Sequence, residues 1–267
     1  AAPGTEANIT IQAVSRAQIR RALPHAACFV VPNITKISQY KPNRRSRRTS
    51  WSNLRTRNQL AIFLPNDSSP QEVRDCLHEE LAQAIGPLND LYRLPDSVFN
   101  DDNVHTVLTG FDMLILQAYY APELRSGMTR GQVAAKLPGI LARINPRGEG
   151  LPAQFATRTP RAWSGAIQTA LGPGAKPAER REAAEKALEI AQAMGWTDHR
   201  RAFAHYANGR LLQVSNPQAA QTHFRAADQY YAATQGASLH RAYVATQLAA
   251  YAITRGDGDS ASVLLAP

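Results

Sequence analysis

Cysteine is scarce: 2 residues in 267, too few for a disulfide-built miniprotein or a Cys-rich zinc motif. No apolar run approaches the roughly 18 residues that a membrane-spanning helix needs. A phosphate-cradling Gly loop, a dinucleotide fingerprint and a Ser-nucleophile elbow are all missing, which removes the commonest nucleotide and acyl-transfer classes. Residues 1–7 are small and polar, without the charged-then-apolar pattern of a signal peptide. They fit both a mature terminus left by signal cleavage and an arbitrary edge of the chain.

What remains is ordinary globular material, with 44% hydrophobic and 19% charged residues, enough for one or two domains with real cores. Thirty Lys and Arg against 21 Asp and Glu leave a net charge of +9, which favours acidic partners or surfaces and says nothing about fold. Much of the excess lies in residues 41–57, where Lys41, Arg44, Arg45, Arg47, Arg48, Arg55 and Arg57 occur with no acid. That basic loop suits an anionic surface or a solvated role. Only Tyr40 and Trp51 flank it, without the regular aromatic interleaving of a single-strand nucleic-acid groove, so no nucleic acid is expected.

Alternation of Ile9, Ile11 and Ala13 predicts a strand, Ser15 opens a basic helix to about Leu23, and Cys28–Val31 predicts a second strand. Residues 60–64 form an uninterrupted apolar run, expected as a strand buried on both faces. Ser69 as N-cap, Pro70 at the first helical position and Glu72 completing a capping box announce a helix that Gly86 and Pro87 stop. A further helix is expected from Thr109 to about Tyr120. Thr129 caps another, kinked or broken at Pro138. Residues 145–158 read as a linker. Beyond it, helical stretches are expected from Pro160 to Gly172 and over 177–194, 197–213, 216–234 and 238–255. Ala184, Leu188 and Ala191 match Ala220, Phe224 and Ala227 at a shift of 36 positions. This half resembles a tetratricopeptide-type stack of helical hairpins, an architecture that usually presents a concave binding surface.

The chemically informative stretch is His78-Glu79-Glu80-Leu81-Ala82-Gln83-Ala84-Ile85-Gly86-Pro87-Leu88-Asn89-Asp90. Aligning His78-Glu79 with the zincin pattern H-E-x-x-H puts Ala82, which cannot ligate, at the second histidine. Aligning Glu79-Glu80 instead puts Gln83 there, Gly86 at the helix-ending glycine and Asn89 at the third ligand of H-E-x-x-H-x-x-G-x-x-H. Helical geometry supports this second register. At about 100° per residue, Val73, Leu77, Leu81 and Ala84 make an apolar stripe with Glu80 inside it. Glu79 and Gln83 lie one turn apart, and a left-handed Gly86 would return Asn89 or Asp90 towards them.

The resemblance to metzincins continues past the helix. Ser97-Val98-Phe99-Asn100 stands where that group has its turn, with Phe99 at the methionine position. Thr109-Gly110-Phe111-Asp112-Met113-Leu114-Ile115-Leu116 is similar to the helix that follows it. More closely, residues 8–145 resemble an uncharacterised family of bacterial exported proteins with an E-E-x-x-Q version of the motif. The resemblance implies an α+β, metzincin-like (zincin-type) domain over residues 1–145, followed by an all-α tetratricopeptide-like helical repeat domain over 159–267. It also implies export, to the periplasm or with membrane association through a further N-terminal segment.

Ligand chemistry then bounds the function. Glu79, Gln83 and Asn89 offer a carboxylate and two amide oxygens, a hard and weak set unlike the imidazoles of zinc sites and nearer to Ca, Mg or Mn preference. No zinc cofactor is expected, and at most a weak hard-cation site. Glu80 stands at the general-base position. A buried Glu near other carboxylates has a raised pKa, which suits acid–base work and a neutral hydrogen-bonding role alike. Cys28 and Cys76 fit both a disulfide in an oxidising compartment and two buried thiols. Asp101, Asp102 and His105 suit substitute ligands or an exposed loop. The other histidines suggest packing. Two functions follow: an exported interaction protein with a degenerate protease-like domain and helical repeats that bind another protein, or a peptidase using Glu80 as base.

Overall fold

The computed structural model describes residues 7–24, 26–102, 104–151 and 156–266. The chain divides into two compact units. The first comprises Ala1–Asp90, Ser97–Phe99 and His105–Gln154. The second comprises Leu91–Asp96, Asn100–Val104 and Phe155–Pro267. Two short stretches lying between Asp90 and His105 in sequence are thus part of the second, helical unit.

The first unit is mixed α/β. Its sheet has the order β1-β3-β2, built from β1 (Ile9–Val14), β2 (Phe29–Pro32) and β3 (Leu60–Pro65). β1 runs parallel to β3, with Ile9 opposite Leu60. β2 runs antiparallel to it, with Phe29 opposite Phe63. The central β3 is buried along its whole length, as its continuous apolar run requires of a strand covered on both faces. On one face Ala61 and Phe63 pack with Val14, Phe29, Val31 and Ile19 of α1 (Arg16–Ala22). On the other, Leu60, Ile62 and Leu64 pack with Cys28, Val30 and residues of α3 (Pro70–Ile85). Between β2 and β3 lies the single-turn α2 (Tyr40–Asn43). At the sheet edge Ile11 is exposed, so the alternation in β1 marks a strand without marking a fully covered face.

The Ser69 hydroxyl accepts from the Glu72 N–H and caps α3. The Glu72 side chain does not close a capping box; its carboxylate pairs with Arg16. α4 (Gly110–Tyr119) and α5 (Arg130–Ile144) complete this unit. α5 runs through Pro138 without a break. The carbonyl that Pro138 leaves without an N–H lies on a largely exposed stretch, open to solvent.

The second unit is a succession of helices, each packed on the next: α6 (Arg161–Leu171), α7 (Pro177–Ala193), α8 (His199–Leu212), α9 (Pro217–Ala232), α10 (Ser238–Thr254) and α11 (Gly258–Leu265). Alanine fills its core. Ala170, Ala184, Ala187, Ala191, Ala202, Ala204, Ala207, Ala220 and Ala227 are fully buried, so helix backbones approach closely. Gly209 of α8 lies against the Phe224 ring of α9, where an added Cβ would fall 2.7 Å from the ring edge. Of the residues that match at a shift of 36 positions, Ala184, Ala191, Ala220, Phe224 and Ala227 reach the interior, and Leu188 is half-buried. No helix among the described residues is long and apolar enough to cross a membrane.

Candidate functional site

The site is organised by how α3 meets the sheet. Cys28, immediately before β2, and Cys76, in the second turn of α3, form a disulfide with a Cα separation of 5.9 Å. Anchoring α3 through Cys76 turns the positions one and two turns further on, Glu80 and Gln83, towards the protein. The buried side chains of α3 are accordingly Cys76, Glu80, Ala82, Gln83 and Ala84. The expected stripe is corrected at Leu81, which faces solvent at 38% exposure, while Val73 and Leu77 are half-buried and pack on the core with Ala84.

Glu80 is 5% exposed. Its Oε2 has no hydrogen-bond partner among the described residues. Burial holds its pKa well above the ordinary glutamate value. The Glu79 and Asp90 carboxylates push it the same way, and a hydrogen bond from the Val30 backbone N–H opposes them. Gln83 is buried, and its Nε2 donates to Asp90 Oδ1 at 2.7 Å. Glu79 is half-buried and Asn89 exposed. The structure therefore gathers Glu79, Glu80, Gln83 and Asp90 and leaves the third-ligand position, Asn89, at the surface.

The end of α3 is built differently from the sequence-based expectation. Gly86 is not left-handed, with φ −132°. A Cβ there would lie 2.4 Å from Leu116 Cδ2 of α4 and 2.9 Å from the Ala82 carbonyl oxygen, so glycine is required by close approach. Arg57, assigned by sequence to the basic loop, instead caps this helix. Its guanidinium donates to the carbonyls of Gln83, Ala84 and Gly86 at 3.2, 2.6 and 2.7 Å and to the Tyr119 hydroxyl at 2.9 Å. The Tyr120 hydroxyl donates to the Ile85 carbonyl at 2.6 Å. The helix thereby satisfies its terminal carbonyls with a cation at the negative end of its dipole. The only sequence signal was the missing basic residue in the last turn of α3.

A second buried polar centre holds the turn after the motif. Asp112 of α4 is fully buried and accepts from Ser97 Oγ at 2.5 Å, from the Val98 N–H at 3.0 Å and from the Thr109 N–H at 2.8 Å. Phe99 is buried at 2% exposure, and its N–H donates to Ser97 Oγ. The remaining basic residues, Lys41, Arg44, Arg45, Arg47, Arg48 and Arg55, are exposed. Arg48 also donates through Nε to the Asn33 carbonyl at 2.8 Å.

These donors do not fit zinc. The Gln83 amide is engaged with Asp90, Asn89 points to the surface side of the chain, and no imidazole joins the set. Among the described residues, no group of three His, Cys, Asp or Glu side chains is placed to hold a metal ion. Asp101 and Asp102 are not substitute ligands here. They bond within the helical unit, to Gln168 and His240.

A buried carboxyl of raised pKa beside an amide–carboxylate pair, a gripped turn and a disulfide-pinned helix lie together in a small mixed α/β domain. The chain belongs to the family described as protein of unknown function (DUF2927), whose model matches residues 1–139. No curated protein and no solved structure matches the chain significantly.

Proposed function

We propose that this is an exported interaction protein in which a zincin-like domain without zinc chemistry is joined to a tetratricopeptide-like stack that binds another protein. The observation that carries the first part is the Gln83–Asp90 hydrogen bond beside the buried Glu80. Gln83, at the second ligand position, is held by the neighbouring Asp90, which is what a structural network does and a metal site does not. The metzincin-like reading rests on the order β3, α3, turn and α4, and on the turn being held by an aspartate early in α4. The tetratricopeptide-like reading rests on the hairpin order of α6 to α11 and their alanine-lined contacts. The disulfide suits an oxidising compartment, in keeping with export.

Metal analysis of the purified chain, with a peptide-hydrolysis assay, tests this. Metal well below stoichiometric and no hydrolysis are expected. Stoichiometric metal that is lost in Glu79→Ala or Gln83→Ala would overturn it. The second reading, a peptidase with Glu80 as general acid–base, is favoured by one observation: a nine-tenths-buried carboxyl with a raised pKa and an oxygen without a partner. Hydrolysis abolished by Glu80→Gln, with the fold retained, is its signature. The exposed Lys41–Arg48 stretch is proposed to meet an anionic surface. Vesicle binding that does not weaken from low to high salt counts against that role.

A further inference from the structure

In the second unit α6, α8 and α10 alternate with α7, α9 and α11, so side chains of the former three that meet one segment share one face. The segment they meet has neither helix nor strand in its described residues, 91–96, 100–102 and 104. Tyr92 inserts between aromatic rings. It meets Trp163 of α6 edge-on at 5.1 Å between centroids and lies 6.4 Å from Phe203 of α8. His199 of α8 donates from Nε2 to the Tyr92 carbonyl at 2.5 Å, and burial lowers its pKa, keeping the ring a neutral donor. Asp101 accepts from the Tyr92 hydroxyl and the Gln168 amide of α6. Asp102 accepts from His240 of α10 at 2.7 Å, with both side chains at most 2% exposed. Gly236, at φ +80°, lets Asp96 approach where a Cβ would sit 3.0 Å from its own.

An aromatic anchor, a read main-chain carbonyl and a buried acid on a histidine are how a groove recognises an extended peptide. Beside the Asp102–His240 pair a cavity of about 470 Å³ continues the face, lined by Arg180, Phe203, Tyr206, Arg210 and Tyr243. That adds further cationic and aromatic surface beyond the segment's own aspartates.

We propose that the α6–α8–α10 face is a peptide-binding groove which the chain fills in cis with residues 91–96 and 100–102. Its partner in trans is a protein segment of the same chemistry, extended and acidic, with an aromatic side chain followed by an aspartate ten positions on, as Tyr92 precedes Asp102. The inference rests on the reading of the helical unit as a protein-binding surface. The net charge of +9 suits an acidic partner.

A fluorescent peptide of residues 90–105, titrated with the full chain and with its Tyr92→Ala/Asp102→Ala variant, tests the groove. If the segment leaves the groove in roughly a tenth of molecules or fewer, the wild type binds at least about tenfold more weakly than the released variant. Adding His240→Ala removes that gain. A variant with wild-type helicity that binds no better than the wild type overturns the peptide-binding reading itself. Hydrogen exchange on the unmutated chain tests cis occupancy separately. Amides of 91–96 and 100–102 are expected to exchange while α6 to α10 stay protected, and exchange only together with those helices overturns it.

Discussion

Replacing both members of the Cys28–Cys76 pair with alanine tests how far the first unit depends on one cross-link. The bond spans 48 positions, and the chain-entropy relation for a loop of that length gives about 4 kcal/mol of stabilisation at 25 °C. The bond also ties β2 to α3, the two elements that bury Glu80, so nearly the whole effect falls on the opening of that unit. Truncating two small buried side chains adds a cavity term, of about 1 kcal/mol or less per missing methyl-sized group, in the same direction. Hydrogen exchange followed by mass spectrometry resolves the effect by segment. Amides of β3, which sits between β1 and β2, open only when the sheet does. A loss of about 4 kcal/mol is roughly a thousandfold faster exchange there. Amides of α8 and α9 in the helical unit keep their rates. Reduction of the unmutated chain gives a second measure without the cavity term. If β3 exchange accelerates less than about tenfold in both, the sheet and α3 are held by packing and the entropic argument fails.

Glu80→Gln isolates the buried carboxyl. Its folded pKa is raised above the ordinary 4.5, so the native state keeps a proton that the unfolded chain has lost; stability is full below that value and falls as pH rises towards the folded pKa, by at most tenfold in the unfolding constant per pH unit. Urea unfolding at several pH values should show this slope in the wild type and lose it in the variant. His205 has the opposite sign: burial, then His223 and Arg201, lower its pKa from 6.5 to about 4, so its contribution is lost as pH falls through that range, and His205→Gln should flatten the acid limb of thermal melts. Asp112→Ala strands buried donors on Ser97 and Val98. At about 1–3 kcal/mol for each, a loss near 3 kcal/mol is expected by denaturant titration, with Asp112→Asn milder because one acceptor oxygen remains.

What could be read in the sequence were features set by neighbours along the chain. The Ser69 cap, the β3 run buried on both faces and the helical stretches that became α6 to α10 all express contacts within about one helical turn or one strand. What could not be read depended on distant partners. Glu72 looks like half of a capping box, yet Arg16, 56 positions earlier, takes its carboxylate. Leu81 is apolar and on the expected stripe, yet it is exposed while Val73, Leu77 and Ala84 of the same stripe pack on the sheet. Arg57 sits among seven cations with no local acid to mark it as different, and only the fold brings it to the end of α3. His199 and His240 looked like packing residues because the segment they grip lies more than a hundred positions away. Within the candidate site, the register Glu79, Glu80, Gln83 was visible from helical spacing. The engagement of Gln83 by Asp90 required the chain to be seen returning.

The disulfide and the buried acid are one arrangement rather than two. Cys76 and Glu80 are a turn apart on α3, and both face the stretch that runs from Cys28 into β2 and supplies the Val30 N–H to the carboxyl. Dehydration is the largest cause of the raised Glu80 pKa, and the cross-link that presses this face of α3 on the sheet maintains that dehydration. Reduction that loosens α3 therefore returns Glu80 towards an ordinary ionised carboxylate. A charge then appears beside Glu79 and Asp90, which itself favours further separation. The coupling has a measurable form: the Glu80-dependent pH slope of stability should shrink in the reduced protein. A slope that survives reduction intact would show that packing of Ala82 and Ala84, not the sulfur bridge, keeps water from the acid.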